Sequence, residues 1–493
     1  MTKRPTSHSR QARLTAPYAE ALHAYAMRNW VHLNIPGHAG DIESFPALTQ
    51  LMGATPLLLD APPMIEGIDL EPDSPFQQAL DLAAEAWGAR RTWFLTGGAS
   101  QGNRIAVTAC REFGDTLIVQ RNVHSSVVDG LVLSGLRATF VQPSIDSVHG
   151  IAHGITPGEL ALALADEPRP AAVLIVSPSY FGAVADVRGL ADVAHAAGVP
   201  LIVDEAWGAH FGFHQELPQG ALALGADMVI SSTHKLGGSL QQSAMLHMAH
   251  GDFTERVEPL IQRAFQMTQS TSPSSLLLGS LDIARCTLVN SGFQIGESIE
   301  KAHRIRSSVR SEGRFSIIGD QFHKYADVVA VDPLRIAINT RSGGVSGHQA
   351  RLRLMNSHDI LVELATDTAV LAVIAPGAAP DIDRFLKALH GLEEEPDPDK
   401  KLVRIQLPPA GHVHMSCRDA FLARSRVVPA SSAVGRISSD ALAAYPPGIP
   451  NILPGEVITA EIVEFLQSTA ADPAKYVRGA VEPKLTAFRV VDE

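Results

Sequence analysis

The sequence predicts an α/β protein: a large domain on a mostly parallel, doubly wound sheet, followed by a smaller α+β domain. Three observations carry this. From Phe76 to about residue 311, short apolar, β-branched runs alternate with stretches of helical spacing. After Asp327 the grain changes to short strands close together, with helices between them. The chain has 493 residues, 45% apolar and 19% charged, which is enough for large cores in two or three domains.

Taken in order, residues 1–19 are basic, hydroxyl-rich and free of acids, and read as a disordered tail. Pro36-Gly37-His38 marks a turn, at which the histidine serves either a ligand or the turn itself. Residues 55–76 are rich in proline and acid (Asp60, Glu66, Asp69, Glu71, Asp73) and read as a long ordered loop. Phe76 to Trp87 has helical spacing, and Thr92 to Leu95 reads as a strand. The turn Thr96 to Asn103 then leads to a helix from Ile105 to Phe113. Strand, glycine-rich turn and helix start suit an anion, though plain capping uses the same parts.

Further strands are expected at Leu117–Gln120, Arg137–Val141, Ala172–Val176, Pro200–Asp204, Asp227–Ser231 and Ser243–Met248. Helices are expected from His124 to about Leu133, near 156–165 and 186–197, over Leu276–Val289, and at roughly 292–311. Later strands are expected at Val328–Val331, Arg335–Ile338, Ile360–Leu364 and Val370–Ile374, with helices near 346–356, 380–390 and Ser416–Arg424. This divides the chain into an N-terminal segment with the acidic loop (1–75), a large domain (76–311) and a C-terminal α+β domain (312–493). A charged linker lies near 391–402. No internal repeat is present.

The chemistry concentrates in Ser231-Ser232-Thr233-His234-Lys235-Leu236-Gly237-Gly238. A lysine after a buried strand can hold an aldehyde as a Schiff base, while Ser232 and His234 can bond a phosphate. Alone, the octapeptide also reads as an ordinary turn with a solvated lysine. Asp204 ends another buried strand, 31 residues earlier (235 − 204). In open α/β sheets, ligands sit at the carboxyl ends of strands. An acid for a pyridine nitrogen and a lysine for an aldehyde describe a pyridoxal 5′-phosphate site. His124, at a strand end and helix start, either stacks on a cofactor ring or caps its helix. Gln269 to Ser275, rich in hydroxyls, either contacts phosphate or caps the next helix.

These motifs, in their order, resemble the Orn/Lys/Arg decarboxylase family, pyridoxal phosphate enzymes of the aspartate-aminotransferase fold (fold type I). The resemblance runs from about Asn34 to Leu466. It rests on Pro36-Gly37-His38, the Thr96–Asn103 turn, Arg121-Asn122-Val123-His124-Ser125-Ser126 and Ser177-Pro178-Ser179-Tyr180-Phe181-Gly182. It continues through Asp204-Glu205-Ala206-Trp207, Ser232-Thr233-His234-Lys235, Ser270-Thr271-Ser272-Pro273, Val434-Gly435-Arg436-Ile437, Tyr445 to Pro450 and Pro454-Gly455-Glu456. The resemblance implies that Lys235 is the Schiff-base lysine, that Asp204 keeps the pyridine nitrogen protonated and that His124 stacks on the ring. Ala206 would pack below the ring and Trp207 would bond its oxygen. Ala99, Ser100, Ser232 and His234 would hold the phosphate. Thr271 and Ser272 would reach the phosphate of a neighbouring subunit, so a homodimer or higher homo-oligomer is expected, in a short form without the N-terminal wing domain.

The implied reaction is α-decarboxylation of arginine, lysine or ornithine, or else another reaction on an amino acid such as oxidation, transamination or elimination. Glu66 and Asp69 are the candidates for meeting a distal cation. Departures from the family pattern fall on the substrate side: Ser125, Ala39, Ser275 and Ser432 replace residues common there. A net charge of −12 argues against a nucleic-acid partner and suits a cationic small substrate. Cys110, Cys286 and Cys417 show neither disulfide nor zinc spacing, so no metal is expected and a reducing, cytoplasmic location is. No apolar run is long enough for a membrane span.

Overall fold

The structure, a computed structural model, describes residues 14–167, 169–251, 253–394, 407–445, 449–472 and 476–492. Most of the expected linker and the centre of the Tyr445–Pro450 turn lie outside the described residues. The chain forms two compact units. One draws on Met1–Ile105, Glu205–Gly296 and Ala375–Gly377, the other on Ala106–Asp204, Glu297–Ile374 and Ala378–Glu493.

In the first unit three buried strands lie side by side in the order Arg91–Leu95, Ala244–Met248, Met228–Ser231. The central strand is antiparallel to both neighbours, with Leu95 opposite Ala244 and Met245 opposite Ser231. The outer strands therefore run the same way and end at the same edge. A buried polar thread crosses all three: the Thr92 hydroxyl meets His247 Nδ1 at 2.9 Å, and His247 Nε2 meets the Ser231 hydroxyl at 3.2 Å. Burial pushes the His247 ionisation down to about 3, so the ring stays neutral. Helices Pro17–Ala26, Pro75–Trp87 and Ser275–Asn290 pack Leu22, Ala79, Ala83, Leu278 and Leu281 against Phe94 and Met245. Ser74 caps the second of these by accepting the Gln77 N–H, and Gly88 ends it in the left-handed region.

The second unit holds four parallel strands in the order Leu201–Asp204, Ala172–Val176, Thr116–Gln120, Arg137–Val141. Helices Ser125–Ser134, Pro157–Asp166 and Val187–Ala196 lie between them in sequence. Their inner strands are almost wholly buried, which is why they read as continuous apolar runs rather than alternating ones. A four-stranded antiparallel sheet follows, ordered Ser316–Ile317, Arg335–Asn339, Ala369–Val373, Leu364–Ala365. The last part has its own core, where Ile462 and Leu466 of helix Ala460–Ala471 pack on Leu442, Ile452 and Phe488.

Several expected elements differ in detail. Part of the expected loop 55–76 is helix, Ala54–Leu59. The helix expected from Ile105 begins at Gly98, so the glycine-rich turn is itself the first helical turn. Of the strand expected at Ile360–Leu364, only Leu364 pairs, in the two-residue strand Leu364–Ala365. Asp359 has φ 52° and the Ile360 N–H closes back on Leu354 O at 2.9 Å, so that backbone caps a helix instead. Helix Thr254–Thr268, not foreseen, carries Pro259 in its interior. Among the described residues, no helix is long and apolar enough to cross a membrane.

Candidate active site

Lys235 follows the carboxyl end of strand Met228–Ser231, and the turn at Thr96–Gly98 follows that of Arg91–Leu95. The strand directions place both at one edge of the first unit's sheet. The Lys235 N–H bonds Ser232 O at 2.9 Å, closing a tight turn. Gly237 is required behind it, since a Cβ there would lie 2.7 Å from Thr233 O. Ser232 is buried; His234 and Lys235 are half-buried. His234 donates Nδ1–H to Ser243 O at 2.8 Å, fixing its ring. Burial first, and then the Lys235 charge, holds the His234 ionisation below the usual histidine range.

Helix Gly98–Ala109 brings its first-turn amides, including those of Ala99 and Ser100, to the same edge. Gly98 has φ +72°, a conformation that admits a close backbone approach. The Gly97 N–H bonds Gln101 Oε1 at 2.9 Å, and Gln101 Nε2 reaches Gln269 Oε1 at 2.7 Å. Gln269 Nε2 in turn donates to the Thr96 hydroxyl at 2.9 Å. This amide pair ties the Ser270–Ser272 loop to the glycine turn. Sequence reading missed it; the one clue was a glutamine four residues after Gly97. Thr271 and Ser272 are exposed.

Trp207 and Ala206 lie in a turn closed by the Gly208 N–H on Glu205 O at 2.8 Å. Lys235 Nζ stands 3.8 Å from the centroid of the Trp207 ring, which is 8% exposed. Glu205 had no role in the sequence reading. It is buried, donates its N–H to Ile230 O at 2.9 Å and accepts the Ala221 N–H at 2.9 Å. Burial pushes its ionisation up to about 8.

The acidic loop separates its two candidates. Glu66 is exposed, whereas Asp69 is half-buried and lines a cavity of about 280 Å³. Met64, Leu70, Phe265, Gln269 and Thr271 share that lining. Asp69 accepts the Ile65 N–H at 2.9 Å, and burial raises its ionisation above the usual carboxylate range. His38 is a turn residue: Nδ1 accepts the Gly40 N–H at 3.1 Å and Nε2 faces Asp60 at 3.2 Å.

Asp204 and His124 belong to the second unit. Asp204 ends its strand 3% exposed. His124 lies four residues past Gln120, at the carboxyl edge of the same parallel sheet. It is the N-cap of helix Ser125–Ser134, with Nδ1 accepting the Ser126 N–H at 3.3 Å. The residue is exposed and its ring is oriented by that bond. Just before it, Arg121 forms a buried bidentate pair with Glu456, Nη2 to Oε2 at 2.9 Å, while Glu456 also accepts the Leu453 N–H at 2.9 Å. Two motifs from distant parts of the sequence meet here.

The parts fit pyridoxal phosphate. In the first unit, a lysine after a strand end, a helix start with a left-handed glycine and a fixed His234 are the donor types its aldehyde and phosphate require; in the second, the buried Asp204 is of the type its ring nitrogen requires.

Comparison with known proteins adds to this. A family profile described as Orn/Lys/Arg decarboxylase, major domain, matches residues 16–381, and the family's C-terminal domain matches 400–476. An arginine decarboxylase of Bacillus subtilis is 36% identical over 483 residues, 97% of this chain and 98% of that protein. One of Bacillus anthracis is 33% identical over 490 residues, 98% and 99% of the two chains. Among solved structures, a lysine decarboxylase of Francisella novicida has a TM-score of 0.80 at 20% identity, covering 98% of this chain and 82% of that one, a likeness of fold.

Proposed function

We propose, from the premise that this chain belongs to the Orn/Lys/Arg decarboxylase family, that it is a cytoplasmic arginine decarboxylase using pyridoxal phosphate. The enzyme decarboxylates a basic amino acid; arginine is the substrate of the relatives that match it at full length. The observation that carries the cofactor reading is the common sheet edge of Lys235 and the Gly98 helix start. When bound, the cofactor accepts the electrons of the bond broken at the substrate α-carbon.

The chain's own residues do the rest. Lys235 would hold the aldehyde and carry a proton to and from the site. Asp204 would keep the ring nitrogen protonated, and His124 would lie against the ring. Ala206 would pack beneath it, with Trp207 beside Lys235. Ala99 and Ser100 amides, Ser232 and His234 would hold the phosphate. Thr271 and Ser272, exposed in one chain, would complete the site of a second copy, which makes the working form a homodimer at least. The boundary between the family's two matched regions supports a division of the chain near the 391–402 linker.

For the distal cation, Asp69 is preferred over Glu66, because a half-buried carboxylate in a largely apolar cavity suits a methylene stem ending in a charge. Two measurements test the reading. Lys235→Ala should lose both the visible absorption of the bound cofactor and carbon dioxide release from arginine. Asp69→Asn should lower kcat/KM for arginine by roughly 100-fold, the loss of a partly buried charge pair, while Glu66→Gln stays near wild type. A colourless wild-type protein would refute the cofactor; equal behaviour of the two loop variants would refute Asp69.

A further inference from the structure

We infer that the indole face of Trp207 is a seat for the Lys235 nitrogen in its positively charged form. The inference rests on the cofactor reading above and adds a positioning residue to it. Nζ lies 3.8 Å from the ring centroid, well inside the range over which a cation is drawn to an aromatic face, and indole binds cations best. The ring is 8% exposed, so little water competes for the charge.

The contact is built into the backbone rather than left to a long side chain. Trp207 sits in the turn that begins at Glu205, whose N–H is bonded to Ile230 O. Lys235 sits in the turn that begins at Ser232, two residues further along the same chain run. Both turns are therefore anchored at strand Met228–Ser231, which sets the distance between amine and ring. A neutral amine gains much less from the ring face than a protonated nitrogen does. Trp207 thus raises the proton affinity of that nitrogen and keeps its proton in the site instead of releasing it to water.

The titratable side chains on the elements that carry this pair are His234, Glu205 and His210, with Asp204 preceding Glu205 in the chain. Burial pushes the Glu205 ionisation up to about 8, within the range of the measurement, so the experiment is repeated in a Glu205→Gln background.

The test uses the full-length holoenzyme with tryptophan 207 replaced by mono-, di- and tetrafluorinated tryptophan, which weakens the face without changing its shape. The readout is the pH midpoint of the visible band of the bound cofactor. The midpoint should fall with each added fluorine, ending at a roughly three- to thirtyfold change in the ionisation constant. Trp207→Phe, which keeps a face and loses the indole N–H, should stay within about threefold of wild type, and Trp207→Leu should shift as far as the tetrafluoro protein. A midpoint that does not move along the fluorine series overturns the inference, as does a Phe variant that shifts as far as Leu. A wild type without any visible band overturns the cofactor reading, and the inference with it.

Discussion

Two acids stand side by side at 204 and 205, and a sequence gives them equal standing. In the fold, Glu205 turns inward to accept the Ala221 N–H, and burial moves its ionisation from 4.5 to about 8. The folded chain therefore keeps a proton that the unfolded chain loses near pH 4.5. Because the native state binds the extra proton, stability falls as pH rises from 4.5 towards 8 and levels off above it. Glu205→Gln keeps the shape and has no proton to lose. Its melting temperature relative to wild type should climb between about pH 5 and about pH 8.5; parallel curves would count against a protonated Glu205. The strand ends near Lys235 and at Asp204 were legible because each strand is a buried apolar run. Glu205, His247 and Gln269 were not, since their partners lie on other strands or loops and nothing local marks them. Of the two roles read for His124, the capping of helix Ser125–Ser134 is the one its hydrogen bond to Ser126 displays.

Among elements, long buried ones were read well and short half-exposed ones were not. Strands Thr116–Gln120 and Ala172–Val176 are covered on both faces and announce themselves as apolar runs. Strands Ser425–Pro429, Tyr476–Arg478 and Pro450–Ile452 are three to five residues long, two of them with exposed positions, and carry no clear period. That last part is tied to the segment before helix Ser125–Ser134 by the Arg121–Glu456 pair, each residue 2% exposed, and by Arg121 Nε donating to Pro450 O at 3.3 Å. Removing one charge of such a pair strands the other. Glu456→Gln should destabilise the protein by about 3–5 kcal/mol, while Arg121→Met with Glu456→Leu should recover most of the loss. Denaturant melts of the three proteins decide this; a double variant no better than the single one would show that the pair does more than balance charge.

For the whole molecule, the exposed Thr271 and Ser272 make a prediction that no single chain can meet. If they serve a neighbouring copy, inactive Lys235→Ala and Thr271→Val subunits, mixed and allowed to exchange, should recover roughly a quarter of wild-type activity, because half of the pairs are mixed and each has one intact site. No recovery would place the hydroxyls in their own subunit's site. Each of the two compact units draws on three separate stretches of chain, an interleaving that no local pattern marks. That interleaving has a consequence during synthesis. Arg121 and Glu456 are 335 residues apart. At about 5–20 residues per second, the ribosome delivers Glu456 roughly 17–67 s after Arg121. Until then the nascent chain holds an arginine with no partner at its future burial site. The second unit can close only once Glu456 has been made, so a chain cut short before Glu456 should be retained by chaperones and cleared by proteases.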